Sequence, residues 1–403
     1  MSSDLPPQAY AAALAAFPHM SIHRLGALLR HHPPGEAYSV AVGEHRAGGL
    51  IERVLADVEV RAAWQRAGRS QLLDTMWERC ARIGVRVLVH GSAEYPALLL
   101  DDPLPPPVVF VQGDLDLLDG RRAGIVGTRN ATAAGRDTAT TLGRQLADAH
   151  VHVVSGLARG IDGCAHRGAL QTTGGGRPIG IVASGHDVVY PREHRMLWSA
   201  VAEQGLLLSE APPGTAPEAY RFPMRNRVIA ALSEVVIVVE SREQGGSLIT
   251  VNEAIERNVP LMAVPGGVHN RAATGTNQLI RDGAGVVVDV TDVLVALAMD
   301  HRHSSASRSD PRPRPRGSDL NVYETCAGEP RTIDGVAPVE QRRVTTHAVE
   351  EEPLVGLRDR ALERVRVVHG HVHVADRDVF ARHLRNEAKR DPFVRLDAQG
   401  QDG

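Results

Sequence analysis

The chain of 403 residues has little cysteine: Cys80, Cys164 and Cys326 stand far apart, with no Cys-x-x-Cys pair. That excludes a disulfide framework and a zinc-knuckle pattern, and reads as reduced thiols in a cytoplasmic protein. Aromatic residues are scarce at 3%, so a surface that stacks bases would rest on very few rings. There is no excess of positive charge. Lys and Arg total 45 against 48 Asp and Glu, a net charge of −3, so any basic surface has to be local. No apolar run is long enough to cross a membrane and no secretory leader is read, so no membrane partner is expected. A dinucleotide fingerprint is missing too. Gly127 is next joined by Gly135, and Ser155-Gly156 stands where an acidic residue would hold a ribose. No nicotinamide, flavin or other cofactor is therefore expected. The nineteen His are scattered; His371 and His373 alternate in a strand-like run, where a solvated strand outweighs metal ligation.

What is present is a regular alternation of short apolar runs and helical patterns, in a chain with 43% hydrophobic residues. Residues 1–84 read as a small helical N-terminal module, with helices near 10–17, 22–30 and 71–83 and a break at Pro33-Pro34-Gly35. Strands are expected at 85–89 and 108–112, leading into a sheet. From Ala123 onward strands fall near 123–126, 151–154, 178–183, 206–209, 235–240, 260–264 and 285–290. Helices near 132–149, 192–204, 222–232, 247–258 and 274–282 separate them. Apolar runs without polar alternation mark strands buried on both faces. The fold class is α/β: one doubly wound, mostly parallel sheet over residues 85–300. Residues 301–317, with five Arg against one Asp and alternating Pro, read as a linker. Residues 318–403 are a C-terminal appendage whose fold the pattern leaves open.

In such sheets ligands bind where strands end and helices begin. The stretch GIVGTRNATAAGRDTATTLGRQLADAHVHVVSGLARGIDGCAHRGAL, residues 124–170, makes two such turns. Each combines glycine, which lets a backbone approach a ligand, with arginine, a planar fork for phosphate. Gly127, Thr128 and Arg129 form the first. Ser155, Gly156, Arg159 and Asp162 form the second. A lone turn of this kind is as readily structural as functional. Three more follow. SGHDVVYPREH carries Gly185, Asp187, Tyr190 and Pro191. FPMRNR brings Phe222, Arg225, Asn226 and Arg227 to a helix start. Gly245-Gly246-Ser247 opens another helix as a further anion cradle. Phe222 is one of only five Phe, and a ring beside guanidinium groups suits a stacked base next to a phosphate, although a core Phe has the same spacing. A small ligand needs one or two such turns, whereas a nucleic-acid strand with repeated phosphates uses several.

SGLARGIDGCAHRGAL, SGHDVVYP, SEAPPG, FPMRNRVIAALS, GGSLIT and TGTNQLIRDGA occur in that order. Together they closely resemble the DNA-processing protein A family, DprA or Smf, over roughly residues 70–295. The resemblance implies a Rossmann-like domain in a non-catalytic protein that binds and protects single-stranded DNA. It also implies a homodimer that loads the RecA recombinase in natural transformation. By position, Arg129 matches the family's phosphate-binding Arg. Ser155, Gly156, Arg159 and Asp162 match its Ser-Gly-x-Ala-x-Gly-Ile-Asp loop, and Phe222, Arg225, Asn226 and Arg227 its Phe-Pro-x-Arg-Asn-Arg segment. Departures are FPHMSIHR in place of a Gly-x-Gly hairpin, Ala219 where a basic residue is frequent, Ala231 for Gly, Gly245 for Ser, and no clear winged helix in 318–403. Apolar residues near helices 247–258 or 274–282 are the expected dimer face. Two alternatives remain at this stage. One is a phosphoribohydrolase-like enzyme of the same Rossmann-like group, for which Asn277-Gln278-Leu279 lacks the needed Glu. The other is a sensor that binds a mononucleotide.

Overall fold

The computed structural model describes residues 5–172 and 174–298. The chain begins with six helices: α1 (Pro7–Ala15), α2 (Ile22–His31), α3 (Pro34–Val42), α4 (Gly49–Leu55), α5 (Val58–Arg69) and α6 (Leu72–Arg82). The expected break at Pro33-Pro34-Gly35 falls between α2, which ends at His31, and α3, which Pro34 starts. In a first turn its missing N–H has no helical acceptor to lose. Ser21 caps α2 by accepting from the Arg24 N–H at 3.2 Å, and Asp57 caps α5. Helices α4 and α5 were not expected. Their buried residues, Ile51, Val54 and Trp64, join Leu14 and Leu28 in one cluster. That cluster continues into Val87, Val108 and Phe110 beyond the expected boundary at residue 84, so the helices and the first strands share a core.

The rest alternates: β1 (Arg86–Val89), β2 (Val108–Gly113), β3 (Arg121–Val126), α7 (Ala133–Asp148), β4 (Val151–Ser155), α8 (Ile161–Leu170), β5 (Pro178–Val182), α9 (Arg195–Gln204), β6 (Leu206–Ser209), α10 (Arg221–Ala231), β7 (Val235–Val238), α11 (Ser247–Glu256), β8 (Leu261–Ala263), α12 (Thr274–Arg281), β9 (Gly285–Val286) and α13 (Val290–Ala296). One nine-stranded sheet runs β1-β2-β6-β5-β4-β3-β7-β8-β9. Its seven strands β3 to β9 are mutually parallel. The two N-terminal strands add an antiparallel edge on β6. The chain winds outward from β3 to β6, then returns to lay β7 on the other side of β3, which makes the sheet doubly wound.

Both faces of the central strands are covered. Ala123, Ile125, Val235 and Ile237 pack with Leu142 and Leu146 of α7 on one face. Val126, Val154, Val236 and Val238 pack with Val228 and Ile229 of α10 on the other. Each of the Val, Ile and Leu side chains contributes about 1.5–3 kcal/mol relative to exposure. Helices α7 and α8 meet at backbone contact, because a Cβ on Gly143 would stand 2.2 Å from the Ala165 carbonyl oxygen.

The run expected as a strand over 285–290 pairs only through Gly285–Val286. Asp289 and Asp292 then form a capping box that starts α13. Local capping of the backbone outcompetes the β-branched run there. Cys80 and Cys164 are free and buried. Among the described residues no helix is long and apolar enough to cross a membrane, and no cluster could hold a metal ion. Cys326, His371, His373, the segment 301–317 and the appendage 318–403 lie outside the described residues.

Candidate nucleic-acid interface

The C-terminal ends of β3, β4 and β5 carry three turns that interlock. After β3, the Thr128 N–H donates to the Glu240 carbonyl at 2.8 Å, and the Thr128 carbonyl accepts from the Ile161 N–H at 3.3 Å. The second turn reaches under the first at Gly160, whose φ is +75°. A Cβ there would stand 2.3 Å from the Thr128 oxygen, so only glycine closes this contact. Gly127 and Thr128 are therefore framework for the turn that ends in Arg129. Arg129 itself is exposed, with its guanidinium carbon 4.8 Å from the centre of the Phe222 ring. Among the described residues it makes no ion pair.

After β4, the Ser155 hydroxyl donates to the Ile125 carbonyl at 2.6 Å and is fully buried. Asp162 is buried as well and accepts from the Gly156 N–H at 3.2 Å. Burial pushes its carboxyl upward, against the pull of the Arg225 guanidinium and that N–H. Arg159 points out to solvent and pairs with Glu193. The hydrogen bond that Arg159 donates to the Glu193 carboxylate raises the Arg159 pKa and lowers that of Glu193.

Helix α10 supplies the other wall. Phe222 and Arg225 are three residues apart and share a helix face, whereas Arg225 and Arg227 are two apart and do not. Arg225 is 5% exposed. It donates to the Gly156 carbonyl at 2.6 Å and to the Ile181 carbonyl. Burial, reinforced by Arg129 and opposed by Asp162, brings its pKa down to about 10, so it stays cationic at neutral pH. Arg227 turns away, pairs with Glu210 and donates to the Leu104 carbonyl at 2.6 Å. The Asn226 side-chain oxygen accepts from Arg225 at 3.2 Å.

These walls enclose a cavity of about 310 Å³ lined by Arg129, Asn130, Gly156, Ala158, Arg159, Val182, Ala183, Ser184, Tyr190, Pro191, Pro217, Phe222 and Arg225. Three of the lining side chains are arginines and none is a carboxylate, so the cavity favours an anion. The Tyr190 ring lies 5.4 Å from that of Phe222 at 51°, which places two of the chain's few rings together at its edge. The loop bearing Tyr190 is held from the helical module. Asp187 accepts from Arg79 of α6 at 2.6 Å and, with its other oxygen, from the Gly214 N–H at 2.7 Å.

Of the residues singled out in the sequence, Arg129, Gly156, Arg159, Tyr190, Pro191, Phe222 and Arg225 line the cavity. Gly127, Thr128, Ser155 and Asp162 brace it from below. Asn226, Arg227, Gly246 and Ser247 lie outside it. Ser247 is buried, its hydroxyl donating to Ser241 at 2.9 Å. Ser184, in the same polar turn SGHDVVYP, belongs to the lining without having been expected there.

The family described as DNA recombination-mediator protein A matches residues 86–298. The DNA processing protein DprA of Bacillus subtilis is 42% identical over 215 residues, 53% of this chain and 72% of that one. The DprA of Streptococcus pneumoniae is 38% identical over 227 residues, 54% of this chain and 79% of that one. An X-ray structure of the Streptococcus pneumoniae protein covers 72% of this chain and 98% of its own, with a TM-score of 0.59 and 28% identity. Its family match spans more than half of the sequence, and the chain belongs to the DNA recombination-mediator protein A family, that of the proteins named DprA and Smf.

Proposed function

We propose that the cavity binds single-stranded DNA, seating one nucleotide while neighbouring phosphates run along its arginine-bearing edge. The protein then acts in the cytoplasm as a recombination mediator without a catalytic step of its own. As a homodimer it shields an incoming strand and passes it to the RecA recombinase. The supporting observation is Arg129, a cation with no ion-pair partner among the described residues, set 4.8 Å over the Phe222 ring at the edge of a cavity without carboxylates. A phosphate and a stacked base are the complement of that pair. A duplex keeps its bases stacked inside and offers none to Phe222.

The test is a titration of labelled oligothymidylate into the full chain at low and moderate salt, with a duplex of the same length alongside. Tight, salt-sensitive binding of the single strand over the duplex is expected. Absence of single-strand binding at low salt sinks the proposal.

A mononucleotide sensor is the second reading, because about 310 Å³ is at the small end of ligand cavities. Thymidine monophosphate that binds as tightly as the oligonucleotide would favour it. The phosphoribohydrolase reading has less support. Asn277, at the turn where that chemistry needs an acid, is spent on the Gly266 backbone, accepting from its N–H at 3.0 Å and donating to its carbonyl at 2.9 Å.

A further inference from the structure

We infer that Glu193 is a built-in competitor for the phosphate at Arg159, and that this competition moderates the hold on a strand so that its second phosphate stays exchangeable. The inference rests on the single-strand reading above and deepens it.

The cavity holds three cations in three different states. Arg225 is buried and committed to two carbonyls. Arg129 is exposed and carries no counter-ion among the described residues. Arg159 lines the cavity yet already holds a carboxylate, that of Glu193. The pair is open to a ligand, with the two side chains 64% and 48% exposed. It is also fixed in place. Glu193 sits in a single 3-10 turn, Arg192–His194, whose last residue is buried. The His194 Nδ1 lies 3.0 Å from the Leu157 carbonyl oxygen, in the same turn region that carries Arg159. Its ring lies against Gly163, where a Cβ would stand 2.5 Å from the ring carbon. The anchor keeps the Glu193 backbone beside the Arg159 turn whether or not a ligand is present.

A phosphate that reaches Arg159 has to displace that carboxylate and remain near its charge. A mononucleotide with its phosphate at Arg129 has no second phosphate to offer. A strand held at Arg129 and Phe222 presents its next phosphates at high effective concentration, because their arrival has become intramolecular. Glu193 therefore leaves the first ligand untouched and weakens the hold on the second, whose phosphate at Arg159 it keeps exchangeable.

The experiment uses the full chain, with Glu193→Gln preserving shape while removing charge. Oligothymidylates of graded length and thymidine monophosphate are titrated across a salt series. Glu193→Gln is expected to bind the long oligonucleotide about two- to fivefold tighter at moderate salt, the scale of an exposed ion pair. Its salt slope steepens by about 0.7, one more phosphate on a single strand. The shortest oligonucleotide that binds becomes shorter, thymidine monophosphate binding stays unchanged, and the preference for strand over mononucleotide widens. In an Arg159→Ala background the same substitution gives no gain. Equal or weaker binding by Glu193→Gln, or a gain that survives Arg159→Ala, overturns the inference while leaving the single-strand reading intact. Wild-type protein that binds no single strand at low salt removes both.

Discussion

The Arg225 guanidinium donates to the Gly156 carbonyl at 2.6 Å and stands 2.5 Å from where a Cβ on residue 156 would be. The glycine is thus defined by an arginine 69 positions away in sequence. Gly156→Ala displaces a buried guanidinium from its carbonyl partners. We expect a loss of about 1–3 kcal/mol of stability, as for overpacking a tight site. Urea unfolding measures it, and an unchanged midpoint would show that the guanidinium moves aside at no cost.

Arg129 and Phe222 are expected to fail in different ways. Arg129→Ala should weaken single-strand binding and make the salt slope shallower by about 0.7. Phe222→Ala should cost about 1–3 kcal/mol of affinity with the slope unchanged, because stacking releases no counterions. Anisotropy titrations at several salt concentrations separate the two. Identical slopes for both variants would refute this division of labour.

Asp102 and Arg257 form the most enclosed ion pair described, with side chains 2% and 7% exposed. Asp102 accepts at 2.7 and 3.0 Å from the two arms of the guanidinium, tying the loop after the first strand to α11. Asp102→Ala leaves a buried cation, a change that costs about 3–5 kcal/mol in general. The remaining contact of Arg257 with Glu253 at 2.6 Å places the expected loss at the low end. A thermal midpoint equal to wild type would contradict this.

Acid should destabilise the fold through histidines before it titrates most carboxylates. Burial pulls His166 from the ordinary 6.5 down to about 3, and His186 down to about 4. His152 and His194 shift the same way, again chiefly through burial. Below pH 6.5 the unfolded chain binds protons that the fold refuses, so stability falls as pH drops from 6.5 towards 4. Each such group contributes up to about 1.4 kcal/mol per pH unit. Urea unfolding at pH 7, 6 and 5 should show the decline, and His186→Gln should reduce its slope by about one proton. A flat wild-type profile over that range rules the mechanism out.

Much of the sheet was legible because its strands are buried on both faces. Val235–Val238 is apolar at every position and ends in polar turn residues, which announces both a central strand and a site. The cavity was legible in part. The turn composition picked out Arg129, Arg159, Phe222 and Arg225, but composition carries no direction. Helical spacing decides that Arg225 enters the cavity while Arg227 leaves it, and the fold decides that Asp162 braces a turn from beneath. Tyr190 and Glu193 come from a loop whose course no local pattern dictates. Helices α4 and α5 escaped notice because their burial depends on partners from other segments, such as Leu14 and Phe110.

Asp187 carries a consequence of its own. The loop that presents Tyr190 hangs from a carboxylate whose counter-charge, Arg79, belongs to α6. Whatever holds the loop still also holds that helix, and coupling of this kind is reciprocal. A strand that immobilises Tyr190 should therefore slow hydrogen exchange at the amides of residues 76–82, none of which lines the cavity. The helical module then registers binding without touching the ligand, as a fluctuation quenched at a distance.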